Sequence, residues 1–367
     1  MNFKDKIASI KRNNIFKFIV YKIFKPKLSF SDIDITNCYE YYRTEKPFLK
    51  YKTNAFEDFI NASFNIEPGG PEIEYLVNYP YSCTIEPFVG WALDVKSTLI
   101  QISLPYGDSP NWTIPNQIYY KTKKYIDLDC AVSIRYNWFN YWHFYNDVIG
   151  QLCLLEKLHF DKSIPIIVPK KALNLKYVQD FLDSDYAKEW NWIFQDWDTY
   201  IRLKRAYFCK CIPNVKEQFI FANEILTTPK EKRWLHKRIY IKRDKKRGRY
   251  ISNSDEIETL LKLYDFEIID AESMSLESQI QLFSDASLII GPHGAGLTNI
   301  FFRYPANCTL LEIFPLNHAP AHYYWLAKEL GYHYEAISGS ALVNGGFVLD
   351  KKKLELLLNE AEVIRTI

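Results

Sequence analysis

The chain has 367 residues, 48% of them hydrophobic and 25% charged, with a formal net charge of +2. That apolar fraction excludes a largely disordered chain, and the near balance of charge excludes a nucleic-acid binder of the strongly basic kind. The length accommodates two domains of ordinary size, each with its own core.

Residues 1–28 carry Lys4, Lys6, Lys11, Arg12, Lys17, Lys22, Lys25 and Lys27 against a single acid, Asp5, with Ile7, Ile10, Phe18 and Tyr21 at near-helical spacing. Two readings stay open: a basic amphipathic helix lying on an anionic membrane surface, or a solvated helix packed on its own domain. Lys17, Lys22 and Lys25 break the apolar stretch, so no signal peptide is expected. No run reaches the roughly 18 apolar residues that a membrane span requires.

Residues 29–212 read as an N-terminal α/β domain. Strands are predicted over 98–103, 164–168 and 206–212, and helices over 144–157 and 175–182. At the start of the first helix, His143 and Asp147 lie four apart and share a face. Either can take a proton from a hydroxyl. Asp147 is the preferred base, and a dyad in which Asp147 orients His143 is the alternative. A capping pair with no chemistry is the bland reading. Aromatic content of 16% suits surfaces that stack on sugars, with Trp112, Trp138 and Trp142 the candidates in this half. The seven cysteines lack metal-ligand spacing; Cys209 and Cys211 alternate along one strand. Free thiols in a reducing compartment are expected.

Residues 213–340 alternate strand and helix with short turns, as in a parallel sheet. A strand over 237–243 ends on Arg243. Arg249 and Asn253 follow in a basic stretch, then a helix to residue 264 and strands over 266–270 and 286–290. The last of these runs into Gly291-Pro292-His293-Gly294-Ala295-Gly296-Leu297-Thr298-Asn299. A strand, a glycine turn and a helix start present backbone N–H groups to an anion, most naturally a phosphate; a plain packing turn is the alternative. The glycine spacing is the reverse of a dinucleotide fingerprint, and no Lys follows as in a Walker loop. No GxSxG elbow accompanies the His-Gly-Ala-Gly string, so an esterase is not supported. A strand over 309–315 carries Glu312. A charged helix over 350–364 closes the chain, within a terminal segment, 341–367, expected to pack back across the domain boundary.

The order of these blocks resembles glycosyltransferase family 61. That family pairs an upstream Asn-x-x-His-x-x-x-Asp segment, here Asn140, His143 and Asp147, with the downstream "GphGAGltN-lF" and "vEi-P" motifs, here 291–302 and 311–315. Departures are Lys242 for the usual Ser before Arg243, an arginine pair split by Gly248, Ser254 after Asn253, and Gly150-Gln151 for Pro-Arg. The resemblance implies a GT-B fold, two Rossmann-like domains facing across a cleft. It implies inverting transfer from a nucleotide-sugar, UDP-linked by family precedent, to a glycan or lipid-linked acceptor, with surface polysaccharide synthesis as the setting. Arg243, Arg249, Asn253, His293, Gly294, Ala295, Gly296, Leu297 and Asn299 would face the donor phosphates, and Glu312 the ribose. His293 either stabilises the leaving phosphate or orders the turn. Asp127/Asp129, Asp183/Asp185 and Asp196/Asp198 match the loose DxD metal pattern. With Arg243 and a helix end already facing the phosphates, no metal and no cofactor are expected. The soluble members of the family imply a cytoplasmic protein, peripheral on the membrane if residues 1–28 dock there. A catalytically silent nucleotide- or carbohydrate-binding protein, and a phosphosugar enzyme of another reaction type, are the alternatives.

Overall fold

The computed structural model describes residues 74–87, 90–96, 99–103, 124–134, 137–211, 215–227, 235–316 and 318–360. The basic segment 1–28 and Trp112 lie outside them. The described residues form two compact units that divide between residues 211 and 215. Both are mixed α/β with parallel strand pairing.

In the N-terminal unit seven strands make one sheet: β1 (Tyr75–Tyr79), β2 (Cys83–Ile85), β3 (Ala92–Asp94), β4 (Lys124–Ser133), β5 (Ile166–Pro169), β6 (Trp192–Gln195) and β7 (Thr199–Lys210). Their order is β3-β2-β7-β4-β5-β6, with β1 also on β7. The run β7-β4-β5-β6 is parallel, whereas β1 and β2 join β7 antiparallel. The strand predicted over 98–103 is absent among its described residues, 99–103. Leu99 makes one bridge, to Leu93, and a 3-10 turn follows at Gln101–Ser103. Ser103 accounts for this: its hydroxyl donates to the Ile100 carbonyl at 2.6 Å and accepts from the Ala92 N–H at 2.8 Å, so a side chain replaces a strand partner.

The helix predicted from Phe144 is in three parts: α1 (Tyr141–His143), one π-helical stretch (Phe144–Val148) and α2 (Ile149–Lys157). Asn140 caps it, its Oδ1 accepting from the His143 N–H at 3.3 Å. Trp138 and Trp142 are 1% and 3% exposed, which corrects their reading as sugar-stacking residues. Trp138 packs on Phe144 and Trp192, and its indole N–H donates to the Ile134 carbonyl at 2.7 Å. Two short helices, α3 (Lys176–Leu182) and α4 (Asp185–Lys188), lie between β5 and β6.

The C-terminal unit opens with α5 (Lys216–Leu226), followed by β8 (Lys237–Ile241), β9 (Tyr250–Ile251), α6 (Ser254–Lys262), β10 (Phe266–Ile269), α7 (Leu276–Asp285) and β11 (Ala286–Pro292). Then come a nine-residue 3-10 helix (Ala295–Arg303), β12 (Thr309–Phe314), α8 (His322–Glu329), β13 (His333–Ser338), β14 (Gly346–Phe347) and α9 (Lys351–Glu360). Five strands form a wholly parallel sheet in the order β10-β8-β11-β12-β13. Counted along the sheet strands alone, this is the doubly wound order 2-1-3-4-5, whose direction of winding reverses between β8 and β11.

Strand periodicity sorts the core. Leu288, Ile290, Leu311 and Ile313 join Ile257, Leu260 and Leu261 of α6 and Leu354, Leu357 and Leu358 of α9 in one cluster. The alternate positions Ile289, Leu310 and Glu312 therefore face the other way. Each such leucine contributes about 1.5–3 kcal/mol of burial. The terminal helix expected to pack across the boundary thus belongs to the core of the C-terminal unit, because its three leucines find α6. The helix predicted after the glycine turn is 3-10 throughout. Among the described residues no helix is long and apolar enough to cross a membrane.

Candidate active site

In a sheet of this order, ligands bind outside the carboxyl ends of the strands at the switch point. Arg243 lies two residues beyond β8, and His293 directly follows β11. The segment leaving β12 supplies His318 and, as the first residue of α8, His322. His293 is central: its ring centroid is 6.1 Å from that of His318 and 6.0 Å from that of His322, and its carbonyl accepts from Arg243 Nη1 at 3.2 Å. Arg249 Nη1 meets His318 Nε2 at 3.0 Å.

The glycine at 294 is required by this arrangement. Its φ of 171° is ordinary extended backbone, but a Cβ there would stand 1.8 Å from Arg243 Nη1. The guanidinium lies against bare backbone and is pinned by three carbonyls: Nε donates to Gly248 at 2.5 Å, Nη2 to Arg247 at 3.2 Å and Nη1 to His293. Two further N–H groups remain on that side chain. Arg249 holds the left-handed φ of 55°, just after Gly248 at 64°, a conformation that costs a non-glycine residue on the order of 1 kcal/mol or more.

Positive groups crowd this end of the sheet. Burial, then the field of Arg249, pushes Arg243 down to about 10. Burial first, then Arg249, His322, His318 and Arg243, holds the His293 imidazole well below its ordinary range. Burial and the two arginines lower His318 as well. Glu312, the acid in contact with His293, is fully buried, and burial holds its carboxyl well above the usual carboxylate range. Arg243 and Arg249, gathered here with Glu272 the exposed acid whose field reaches Arg243, make a site that an anion stabilises. Ala295 is exposed and Gly296 half-buried at the start of the 3-10 helix, so their N–H groups add to it.

Other predicted donor-side residues stand elsewhere. Leu297 and Asn299 are fully buried, and Asn299 Nδ2 donates to Gln279 Oε1 at 2.6 Å. Asn253 clasps the chain after β14, donating to the Leu349 carbonyl at 2.9 Å and accepting from its N–H at 3.0 Å. Glu312 has no face for a ribose: Oε1 meets His293 Nδ1 at 2.6 Å and Oε2 accepts from the Tyr334 hydroxyl at 2.8 Å.

A second constellation lies in the N-terminal unit. His143 Nδ1 is 2.9 Å from Asp147 Oδ2. The same carboxylate accepts from the Asn137 amide and, at 2.8 Å, from Asn146 Nδ2. Gln151 Nε2 donates to the Asp147 carbonyl at 3.0 Å. Asp147 sits in the π-helical stretch, a distortion frequent at functional sites. Helix capping is performed by Asn140, so the reading of His143 and Asp147 as a cap falls away. With Nδ1–H directed at Asp147, the basic lone pair of His143 is on Nε2.

Most of these positions fall within a stretch that matches a family model. Residues 141–311 match the family model described as Glycosyltransferase 61. Over that stretch, under half of the chain, the sequence is similar to this family. A beta-1,2-xylosyltransferase from Arabidopsis thaliana is 42% identical over 64 residues, which cover 17% of this chain and 12% of that protein. The chain thus spans about an eighth of the relative it matches. The glycosyltransferase 61 match takes in His143, Asp147, Arg243, Arg249 and the glycine turn, and ends one residue before Glu312.

His318, His322, Tyr334, Asn137 and Asn146 escape the sequence reading. The histidines had a readable signal, a pair four apart just beyond a strand ending in Pro315. Tyr334 and Asn137 had none. Of the three DxD pairs, Asp127 and Asp129 form an exposed ladder: Asp127 pairs with Arg202 at 2.6 and 2.7 Å, and Asp129 with Lys204 at 2.7 Å. Among the described residues no cluster of three or more His, Cys, Asp or Glu is arranged to hold a metal.

Proposed function

We propose that this protein is an inverting glycosyltransferase that moves a sugar from a nucleoside-diphosphate donor, UDP-linked by family precedent, to a hydroxyl of a glycan or lipid-linked acceptor. The observation that carries this reading is the cluster of Arg243, Arg249 and three histidines at the switch point of a parallel sheet. The donor diphosphate sits there, on the free N–H groups of Arg243 and the N–H groups of Ala295 and Gly296. As the sugar C1–O(phosphate) bond breaks, its electron pair passes to the diphosphate, where these cations stabilise the developing charge. The acceptor oxygen forms the new bond to C1, and its proton passes to a base.

His143 Nε2 is that base in our reading, and Asp147 orients it. The sequence alone prefers Asp147; its three N–H donors favour the orienting role. A GT-B arrangement, metal-free donor binding and a place in surface polysaccharide synthesis at the cytoplasmic face belong to the same proposal and rest on the family resemblance. The parallel sheet and its cations support the first two.

A thermal-shift series with UDP, GDP, CMP and their sugar conjugates in EDTA tests it, because a ligand of the native state raises Tm. A shift with one nucleotide that is lost in Arg243→Ala supports the reading, and a shift that appears only with Mn²⁺ overturns its metal-free part. Saturable donor binding without hydrolysis or transfer, whatever the acceptor, would instead mark a catalytically silent binding protein.

A further inference from the structure

Glu312 is out of place in β12, where its neighbours are Leu310, Leu311, Ile313 and Phe314. It is 0% exposed, and its strand is parallel-paired on both sides, opposite Gly291 and Ala336. An isolated carboxylate so placed costs several kcal/mol (on the order of what buried ions cost generally), yet among the described residues no lysine or arginine pairs with it. Its partners are the Tyr334 hydroxyl on Oε2 and His293 Nδ1 on Oε1. The His293 ring is held from the sides by Phe314, stacked at 5.4 Å, and by Tyr323 at 5.2 Å. Among the described residues no hydrogen bond engages its Nε2, although the side chain is 5% exposed. The other charged or titratable groups around it are Arg243, Arg249, His318 and His322.

We propose that Glu312 is a positioning residue: it shares a proton with His293 Nδ1, so that Nε2 carries its own hydrogen and donates it to a non-bridging oxygen of the bound diphosphate. This inference rests on the donor reading above. The proton count decides it. A protonated Glu312 beside a neutral imidazole and an ionised Glu312 beside an imidazolium differ only in where one proton lies along a 2.6 Å contact. In both, Nε2–H is a donor and the pair is neutral overall, which the surrounding cations tolerate. Burial favours that protonated carboxyl over a buried anion. Were the shared proton missing, Nε2 would present a lone pair to an anion.

The test has a direct arm and a binding arm. Long-range ¹H–¹⁵N spectra of histidine-labelled protein should show Nε2 of His293 protonated in the free wild type; an unprotonated Nε2 overturns the proposal whatever the binding data. Calorimetric titration in EDTA with inorganic pyrophosphate and with nucleoside diphosphates forms the second arm. Glu312→Gln, whose amide can donate to Nδ1 and accept from Tyr334, should keep affinity within about threefold. Glu312→Leu should lose about 10–100-fold, the range for a hydrogen bond to a charged group. Full affinity in a folded Glu312→Leu protein overturns the role of Glu312 alone. Failure of the wild type to bind any of these probes overturns the donor reading itself.

Discussion

Two carboxylate–histidine pairs, one in each unit, join through Nδ1 at similar distances, 2.9 Å for Asp147 and His143 and 2.6 Å for Glu312 and His293. Their surroundings are opposite. Asp147 is ringed by amide donors and its histidine is 31% exposed, whereas Glu312 lies in an apolar strand and its histidine is surrounded by cations. The first setting orients a partly exposed imidazole through a carboxylate. The second suppresses basicity and favours a hydrogen-bond donor aimed at an anion. On the proposed function one motif would serve two chemistries, with burial and neighbouring charge selecting between them.

The largest effect that this contrast predicts is at His143. His143→Ala should lower kcat by about 10²–10⁴-fold, the usual worth of a general base. Nucleotide affinity, measured separately by calorimetry, should not change. A joint loss of turnover and donor affinity would collapse the distinction between the two pairs.

Next comes Arg243, for which Arg243→Ala should weaken nucleoside-diphosphate binding by about 10–150-fold, equivalent to roughly 1.5–3 kcal/mol for hydrogen bonds to a charged ligand. Gly294→Ala provides a steric version of the same experiment. It leaves the guanidinium in the chain but places a methyl where Nη1 now lies, so binding should fall toward the Arg243→Ala level. Unchanged affinity in Gly294→Ala would mean that the guanidinium reaches phosphate from another rotamer. A smaller loss, about three- to tenfold, is expected for His318→Ala, which removes one neutral contact of Arg249.

These sites were unevenly legible in the sequence. The glycine turn and Arg243 could be read because strand ends and glycines leave a local signal. The reason for Gly294 could not, because it depends on the distant side chain of Arg243. Alternating elements announced a parallel sheet in the C-terminal unit, yet strand order is a long-range property that no local pattern encodes. β2 and β3, three residues each, were too short to show a period. Glu312 is visible as an acid on a strand, and the family resemblance assigns it to a ribose. Its burial follows from facing away from Leu311 and Ile313, and that becomes clear only once α6 and α9 are seen to cover the opposite side. Trp138 and Trp142 misled for a related reason, since tryptophan composition does not tell a sugar platform from a core.

The smallest predicted effect bears on the metal question. Asp127 and Asp129 are two apart on β4 and point to one face, as a DxD metal pair would, but each is committed to a basic residue of the adjacent strand β7. Those cations hold both carboxyls below the usual carboxylate range, through direct hydrogen bonds first. Exposed ion pairs of this kind contribute about 0–1 kcal/mol each, because solvent already screens the charges. The double variant Asp127→Asn, Asp129→Asn should accordingly unfold within about 2 kcal/mol of the wild type and transfer sugar at an unchanged rate, with and without EDTA. A loss of activity would require that a metal displace Arg202 and Lys204 from both acids, and activity restored by raising Mn²⁺ would show it. In that event the cations around His293 would be assisting a metal ion, and the contrast between the two histidine pairs would no longer account for the charge on the leaving group.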